Sequence, residues 1–434
     1  MLRIENVSVF DSDAGFFLDG QTVLIKGDRV TAVAPAGEFP TSSDGSAIDG
    51  RGKFLIPGLI DAHVHLTHHL YEAGMTADTI FPNFLRYGVT AVRSTGDSVV
   101  AQILLKRISE VHPERAPRLF LASPLVSDTR PIHKDIGWIL ENPDQVREFV
   151  DQMAVWMEIT TLKIYANCRR EVASELIREG HNQGFRVAGH LHDFSAQEAV
   201  AAGIDSIEHV QSISHFLKDD ERDPWLFNLK DPGTPELIEK IAAAGTYVTP
   251  TLVIFWGYLL FFDQAEALNH TDNGSVPENL RRLWASWTKR LDGKTTNRPI
   301  EIRREILERY LELTAMLHLG GVPLLVGTDT PLPHVPPGAS LHQEMEWMVK
   351  SGIPAAKVLQ AVSVNNAAIV DLAEDFGKIR PGFLADLVLL DANPVEDISN
   401  TRKINSVVRA GRLVDMAKIR NPPGERIGMA PNWV

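Results

Sequence analysis

Short apolar runs alternate with longer amphipathic stretches through most of this chain. Each run has four to seven residues, is rich in branched side chains and is followed by a polar or glycine-containing turn. This alternation is typical of βα units, which build a parallel sheet. Eight such runs occur, which predicts an α/β protein with a (β/α)8 TIM barrel. The predicted strands are Leu59–His65, Val89–Ser94, Leu119–Ser123, Thr161–Tyr165, Arg186–His190, Ser206–His209, Tyr247–Thr251 and Leu324–Thr328.

The two ends of the chain follow a different pattern. Both contain short runs in which apolar and polar residues alternate, separated by glycine and aspartate. Period-two alternation between turn residues predicts antiparallel strands. We therefore predict one small β-sandwich domain formed by residues 1–57 and 377–434, with the barrel in residues 58–376 between them.

The segment 254–320, between the seventh and eighth runs, is too long for a plain βα connection. It contains two stretches with apolar residues at helical spacing, preceded by an aromatic cluster that includes Phe255, Trp256 and Tyr258. Loops after barrel strands open on the active-site face. The helical insertion 254–320 is therefore either a lid over that face or an added layer with its own small core. An oligomer contact is a further interpretation of the aromatic cluster.

The composition limits the classes of partner. With 434 residues, 44% of them hydrophobic and 23% charged, the chain is ordinary for a globular enzyme. Its net charge of −13 argues against nucleic acid and anionic membrane as partners and is compatible with a small-molecule substrate. Cys168 is the only cysteine, so no intrachain disulfide can form. No leader-like segment or membrane-length apolar run is present, so we expect a cytoplasmic protein, and homo-oligomerisation stays open.

The first predicted barrel strand carries two histidines within the stretch IPGLIDAHVHL, residues 56–66. Side chains two residues apart in a strand share a face, so His63 and His65 can aim their imidazoles into one cavity. Flanked in this way, the pair resembles the first-strand signature of the amidohydrolase superfamily. The resemblance implies a metal-dependent hydrolase on a (β/α)8 barrel.

Four more candidate ligands occur at the ends of later predicted strands: Lys163, His190, His209 and Asp329. Taken singly, each has an ordinary structural role, because a lysine can reach a barrel rim, a histidine can pack in a core and an aspartate can cap a helix. Together with the histidine pair they resemble the metal ligands of the superfamily. Two segments further resemble its prolidase (Xaa-Pro dipeptidase) and imidazolonepropionase-like branch: AQEAVAAGIDSIEH at 196–209 and VPPGASLHQEME at 335–346. A third, GKIRPG at 377–382, resembles the motif with which many amidohydrolases return from the barrel to the β-sandwich.

The resemblance implies a binuclear centre with two divalent metal ions, and zinc suits its imidazole and carboxylate ligands. It assigns one ion to His63, His65 and Asp329. It assigns the other ion to His190 and His209. Lys163, converted by carbon dioxide to a carbamate, would bridge the two ions. A metal-bridging hydroxide would attack the substrate, and Asp329 would be the catalytic proton relay.

The expected substrate residues lie on loops where this chain departs from its branch. Relatives carry a Gly-Gly-His-Gly loop after the third strand, whereas this chain has DTRPIHKD at 128–135, so only the histidine, His133, matches. His192 lies where relatives place a group that binds the scissile carbonyl, and we predict that it is both catalytic and substrate-binding. Tyr165 and Arg130 are also predicted to contact substrate, the arginine through a carboxylate.

These observations predict an enzyme of the peptidase or amidase type, which cleaves the C–N amide bond of a dipeptide or an N-acyl amino acid. One alternative is hydrolysis of a cyclic amide, an imidazolone or a lactone at the same two-metal site. Another is a mononuclear deaminase, in which Lys163 plays no part. The non-enzymatic alternative is a degenerate barrel that serves as a scaffold, which metal content would test.

Overall fold

The computed structural model describes residues 1–39, 46–128, 133–214, 217, 219–220, 223–262, 276–291 and 299–420. Its strands are β1 Leu2–Asp11, β2 Phe16–Lys26, β3 Arg29–Pro35, β4 Ser46–Asp49, β5 Phe54–Pro57, β6 Leu59–Val64, β7 Val89–Ser94, β8 Arg118–Ser127, β9 Gly137–Ile139, β10 Ile159–Ile164, β11 Arg186–Gly189, β12 Ser206–Glu208, β13 Asp219–Asp220, β14 Asp223–Phe227, β15 Tyr247–Thr249, β16 Leu387–Leu390, β17 Ile404–Arg409 and β18 Arg412–Leu413. Its helices are α1 Leu66–Tyr71, α2 Ala77–Leu85, α3 Val99–Val111, α4 Val146–Val155, α5 Arg170–Asn182, α6 Ala196–Ala202, α7 Gln211–Ser214, α8 Gly233–Ala244, α9 Leu252–Phe262, α10 Glu278–Leu291, α11 Ile300–Leu319, α12 Ala339–Lys350, α13 Ala355–Gln360, α14 Asn366–Ala368 and α15 Met416–Arg420.

Seven parallel strands form the barrel wall, in the spatial order β6, β7, β8, β10, β11, β12 and β15. Each corresponds to one predicted run, and β8 extends beyond its run to Ser127. Every residue of β6 and β7 is buried. Such burial is expected of parallel strands that are covered on both faces. Apolar residues alternate here with buried polar ones such as Asp61, His63 and Arg93.

The eighth predicted strand, Leu324–Thr328, closes the barrel without being a regular strand. Its Leu324 makes an isolated bridge to β15, with a hydrogen bond from Leu325 N to Val248 O at 2.8 Å. The bridge to β6 is made by Thr330, just beyond the predicted run. The N–H of Val326 donates instead to the side chain of Asn366, at 3.0 Å. Because a side chain replaces a ladder bond here, the segment is extended but is not paired like its neighbours.

Strands from both chain ends form a second sheet, in the order β18, β17, β16, β5, β1, β2 and β3, with β4 paired to β1. The antiparallel pair β16 and β5 joins the C-terminal strands to the N-terminal ones. Gly58 then links β5 directly to β6, and a Cβ at this position would lie 2.1 Å from the Thr90 hydroxyl oxygen, so only glycine fits. The predicted fold class, a TIM barrel with a β-sandwich made from both ends, is therefore confirmed. The exact domain boundaries stay predictions.

Three helices of the predicted insertion, α9, α10 and α11, lie against the barrel and each other. The rings of Phe255 in α9 and Tyr310 in α11 lie 4.2 Å apart, and Trp284 Nε1 in α10 donates to Pro331 O at 2.8 Å. Their apolar faces are buried, as the helical spacing predicts. Whether they move as a lid stays a prediction. Among the helices of the described ranges, none has the length and apolar character that crossing a bilayer requires.

Candidate metal centre

The C-terminal ends of the barrel strands bring all six predicted metal ligands to one cavity of about 400 Å³. Parallel strands end at the same edge, so residues far apart in the sequence converge there. Five of the six side chains are buried and the sixth, His190, is half-buried. The six predicted ligands that line part of this cavity are His63, His65, Lys163, His190, His209 and Asp329.

Three imidazoles surround the carboxylate of Asp329. Its Oδ1 lies 3.1 Å from His65 Nε2 and 3.5 Å from His63 Nε2, and its Oδ2 lies 3.8 Å from His209 Nε2. One donor atom each from His63, His209 and Asp329 lies within 4.8 Å of the other two. Asp329 and His209 also adopt left-handed backbone conformations, with φ of 61° and 66°. Such strain at non-glycine residues often occurs where a side chain must be aimed at a functional site.

Lys163 and His190 lie beside this group. The ring centroid of His190 lies 4.5 Å from that of His209 and 5.1 Å from that of Tyr165. Lys163, inside β10, is 1% exposed. A Cβ on the neighbouring Gly96 would lie 3.2 Å from Lys163 Cγ, so the lysine stem is closely packed. His190, His209 and Lys163 therefore form a second set of donors adjacent to the first.

Two observations indicate that these residues are suited to bind a pair of divalent ions. Neither His63 Nε2 nor Lys163 Nζ makes a hydrogen bond within the described part of the chain, although both atoms are buried. Buried polar atoms normally have partners, so an atom without one points to a ligand. The imidazole and carboxylate donors are also those that zinc prefers.

Glu208 fixes the orientation of His63. The His63 Nδ1–H donates to Glu208 Oε2 at 2.8 Å, which leaves Nε2 for the cavity. The other carboxylate oxygen accepts from Arg93 Nη1 at 3.1 Å and from the Ser206 hydroxyl at 2.7 Å. Although burial opposes it, the charges of Arg93 and Lys163 hold the Glu208 pKa well below its ordinary value. Such outer partners set the tautomer and the basicity of a ligating histidine.

The other two deeply buried imidazoles are fixed in the same way. His65 Nδ1–H donates to Gly96 O at 2.8 Å. His209 Nδ1 lies 2.8 Å from the Thr251 hydroxyl oxygen, which itself donates to Pro250 O and so accepts from the histidine. In each case Nε2 is left to face the cavity.

The pKa shifts of the candidate ligands favour protonation states that can bind cations. Burial would raise the pKa of Asp329, but the neighbouring His63 and His65 outweigh this and hold the pKa far below its ordinary range. Burial and the charge of Lys163 lower the pKa of His63 to about 4. Burial lowers the pKa of Lys163 to about 8. The carboxylate is therefore ionised, the imidazole is neutral, and the amine is readily deprotonated, which reaction with carbon dioxide requires.

The rest of the cavity wall is mainly apolar and aromatic, with a few polar groups. Its apolar members are Leu125, Ile254, Phe255, Leu259, Ile306 and Leu332. The polar members are His68, His133, Tyr165, Gln211, Tyr258 and Arg303. His133 Nε2 lies 3.1 Å from the Tyr165 hydroxyl, so these two predicted substrate residues form one unit in the wall.

Comparison with known proteins identifies the family. The model of the amidohydrolase family matches residues 54–414. The chain belongs to the amidohydrolase family. The match spans the barrel together with strands of both ends of the chain.

Individual relatives of this amidohydrolase have different activities in their names. The adenine deaminase 3 of Rhizobium johnstonii is 27% identical over 263 residues, covering 56% of this chain and 42% of that protein. The imidazolonepropionase of Idiomarina loihiensis is 26% identical over 176 residues, covering 38% of this chain and 42% of that protein. The chain therefore matches less than half the length of either relative.

Two solved structures show the shared fold. A putative prolidase from Bifidobacterium longum has a TM-score of 0.72 and 23% identity, with 96% of this chain and 98% of that chain covered. A Xaa-Pro dipeptidase with bound methionine in its active site has a TM-score of 0.69 and 21% identity, with 95% and 99% covered. These likenesses support the barrel and sandwich architecture of the amidohydrolase.

One predicted site residue of the described ranges, His192, is not placed in the cavity. The His192 side chain is 57% exposed, its Nδ1 lies 2.9 Å from Asp193 Oδ1, and it is not among the residues that line the cavity. The two-residue spacing from His190 would aim it inward only if the strand continued, but β11 ends at Gly189. The geometry therefore does not support contact of His192 with substrate. Arg130 lies outside the described residues.

Several residues that orient this amidohydrolase site were missed by sequence reasoning. Glu208, Arg93 and Thr251 position the imidazoles, and Asp61 accepts hydrogen bonds from the Thr328 N–H and hydroxyl at 3.0 and 2.7 Å. The available signal was a charged residue within an apolar strand, because such a group must be paired when it is buried. This signal marks Glu208, Arg93 and Asp61 but not Thr251.

Proposed function

We propose that this amidohydrolase cleaves the C–N amide bond of a dipeptide or an N-acyl amino acid at a two-metal centre. The observation that carries the proposal is the buried amine of Lys163, without a hydrogen-bond partner in the described ranges, in the same cavity as four histidines and Asp329. A single-ion centre would leave the amine unexplained, whereas a carbamate on Lys163 would supply the carboxylate that two ions share.

The ligands divide into two sets. His63, His65 and Asp329 would hold one ion, His190 and His209 the other, and the carbamate of Lys163 would join them. Two divalent ions bound in this way would lower the pKa of a water molecule and polarise the scissile carbonyl.

Asp329 has the properties of the proton carrier. Its carboxylate is ionised at neutral pH because the surrounding imidazoles hold its pKa far below the ordinary range. It is positioned to take the proton of the attacking water and to release it to the leaving amine. The apolar wall excludes bulk water from these transfers and so strengthens the electrostatic interactions in the cavity.

The wall also indicates the class of substrate. Arg303 lines the same cavity as the ligands, half-buried, and a guanidinium suits a substrate carboxylate. Phe255, Leu259 and Ile306 offer an apolar surface for a side chain or acyl group. An apolar group beside a carboxylate is the chemistry of a dipeptide or an N-acyl amino acid. The methionine bound in the solved Xaa-Pro dipeptidase has the same two features.

Ring opening of a cyclic amide is the second candidate, favoured by the match to imidazolonepropionase. It would use the same ligands and the same Asp329. The two candidates differ in the substrate, since a cyclic amide needs no separate leaving amine.

A substrate panel tests the proposal. The zinc-loaded enzyme, prepared with bicarbonate, would be assayed with N-acyl amino acids, dipeptides, the matching amides without a carboxylate, and cyclic amides. We expect chelator-sensitive release of amine from the carboxylate-bearing linear amides, with the carboxylate-free compounds much slower. Turnover of the cyclic compounds alone would favour the second candidate. Release of ammonia from aminopurines would replace both with deamination.

A further inference from the structure

A second group of metal-binding side chains lies at the mouth of the cavity. Helix α1 begins directly after His65 and places His68 and Glu72 four residues apart, on one face. His68 Nε2 lies 3.7 Å from Glu72 Oε1. The ring of His133 lies 5.0 Å from the ring of His68. We call these three residues the entrance cluster. One donor atom from each of them lies within 4.8 Å of the donor atoms of the other two.

We propose that the entrance cluster, His68, Glu72 and His133, binds a further divalent cation of the zinc class, distinct from the ions of the catalytic centre. Two imidazoles and one carboxylate form a donor set found in catalytic zinc sites. Such donors favour zinc, cobalt and nickel over magnesium and calcium, which prefer all-oxygen ligands.

The distances are close to those a tetrahedral ion needs. Ligands at about 2.0–2.2 Å from zinc lie roughly 3.4 Å from one another, and the His68–Glu72 pair is already at 3.7 Å. The side chain of Glu72 is 29% exposed and that of His68 is 10% exposed, so the carboxylate is the more accessible donor of the two. His68 is held more firmly, because Asp97 accepts from the Leu66 and Thr67 N–H groups and thereby anchors the start of α1.

The entrance cluster is separate from the centre although the rings of His65 and His68 lie 5.1 Å apart. Both nitrogens of His65 are engaged elsewhere, Nδ1 with Gly96 O at 2.8 Å and Nε2 with Asp329 Oδ1 at 3.1 Å. His65 therefore cannot serve the cluster. The cluster depends on none of the six ligands of the centre.

The position of the cluster leaves room for a fourth ligand. All three residues line an outer cavity of about 820 Å³, and His68 and His133 also line the inner cavity that holds the centre. An ion held by the entrance cluster would therefore stand in the passage between the two cavities. Water, or a polar group of an entering molecule, can complete its coordination.

Zinc stoichiometry tests the proposal without reference to any substrate. The full chain would be stripped with a chelator, equilibrated by dialysis against increasing free zinc, and analysed for bound metal by mass spectrometry. We expect Glu72→Gln to hold about one ion fewer than the wild type at free zinc roughly tenfold above the weakest dissociation constant of the wild type, where that site is about nine-tenths occupied. Magnesium in 100-fold excess should not displace that ion. With cobalt, the absorption of the weakest tetrahedral site should disappear in the same variant.

The chain offers a matched control. His112 Nδ1 also lies 3.7 Å from a glutamate, Glu114, but both side chains are on the surface, about 40% exposed. No third donor joins this pair in the described part of the chain. Glu114→Gln should therefore bind as much zinc as the wild type. Equal zinc in wild type and Glu72→Gln, an equal loss in Glu114→Gln, or displacement by magnesium would overturn the proposal.

Discussion

The metal centre and the cavity wall come from different parts of the fold. The ligands of the centre lie at the ends of barrel strands, where outer partners such as Glu208 and Thr251 fix the imidazoles. The substrate-facing wall comes largely from α9 and α11, which lie outside the barrel and contribute Phe255, Tyr258 and Arg303. The barrel and the outer partners together thus fix the geometry of the centre, whereas the geometry of the wall depends on how one insertion packs.

This difference suggests that different residues govern the chemical mechanism and the substrate specificity. Substitutions around the strand ends should change metal binding and the chemical step, because those residues fix the donors in place. Substitutions on the helices should change the choice of substrate and leave the metal content intact. The following predictions test this division, from the largest expected effect to the smallest.

Removing the shared ligand should have the largest effect. Lys163→Ala should lower kcat/KM on the order of 10³-fold, equivalent to about 4 kcal/mol of transition-state stabilisation. It should also reduce bound zinc, because the buried amine lies in the same cavity as the other ligands. Steady-state kinetics and metal analysis on the same preparation would check both effects. Lys240→Ala, at an exposed lysine paired with Glu236, is the control. Full activity and full metal content in Lys163→Ala would disprove the bridging role.

Removing the charge behind His63 should weaken the centre less. Glu208→Gln keeps the shape of the side chain but loses the anion that accepts from His63 and Arg93. We expect zinc affinity to fall roughly 10- to 100-fold, as for other outer partners of ligating histidines. Competition with a chromophoric chelator would measure it. The control is Glu198→Gln, at a half-buried position in the first turn of α6, which should leave the zinc affinity unchanged. Equal zinc affinities in the wild type and both variants would show that Glu208 does not support the metal centre.

Removing the cation of the wall should affect the substrate and not the metal. Arg303→Gln should raise KM for a carboxylate-bearing substrate about 20-fold, because one charge-assisted hydrogen bond to the substrate carboxylate is lost. Zinc content and turnover of a carboxylate-free amide should stay the same. The neighbouring Arg304→Gln, at an exposed position of the same helix, is the control. A loss of zinc in Arg303→Gln would contradict the division between wall and centre.

The last prediction concerns the stability of the fold and Glu344, which connects the two regions. Its carboxyl group accepts from the N–H groups of Leu252 and Val253 at 3.0 and 2.7 Å, where α9 begins directly after Thr251. Burial raises the Glu344 pKa from 4.5 to about 8. The folded chain therefore binds this proton more tightly than the unfolded chain does between these two pH values.

It follows that the stability contributed by the protonated carboxyl is fully present below pH 4.5 and is lost as the pH rises towards about 8. The loss can reach about 1.4 kcal/mol per pH unit. Glu344→Gln, which cannot ionise, should lack this component of the pH dependence. Thermal melts of the metal-free wild type and variant between pH 5 and 8 would compare the two. A constant difference in Tm across this range would show that Glu344 does not titrate there.

The barrel was predictable because each parallel strand is buried on both faces and therefore reads as a short apolar run. The exception, Leu324–Thr328, has the right pattern but loses ladder bonds to side chains such as Asn366, which lies far away in the sequence. Apolar runs report burial, and they do not report which group satisfies each backbone N–H.

The candidate ligands were predictable because they lie at or near strand ends and together resemble the ligand set of the superfamily. The outer partners and the wall were less predictable. Glu208 precedes a ligand in the sequence, but its pairing with Arg93 needs the neighbouring strand. His192 shares the spacing of an inward-facing residue and yet lies outside the cavity, because β11 has already ended. Spacing predicts side-chain direction only while the regular element continues.

Anomalous diffraction at the zinc edge, on crystals grown with zinc and bicarbonate, tests the two-metal centre most directly. The account predicts two strong peaks in the inner cavity, one among His63, His65 and Asp329 and one between His190 and His209. It also predicts density for a carbamate that extends Lys163 between them. A single peak at the first set, with Lys163 present as a free amine, would contradict the account and favour a mononuclear enzyme.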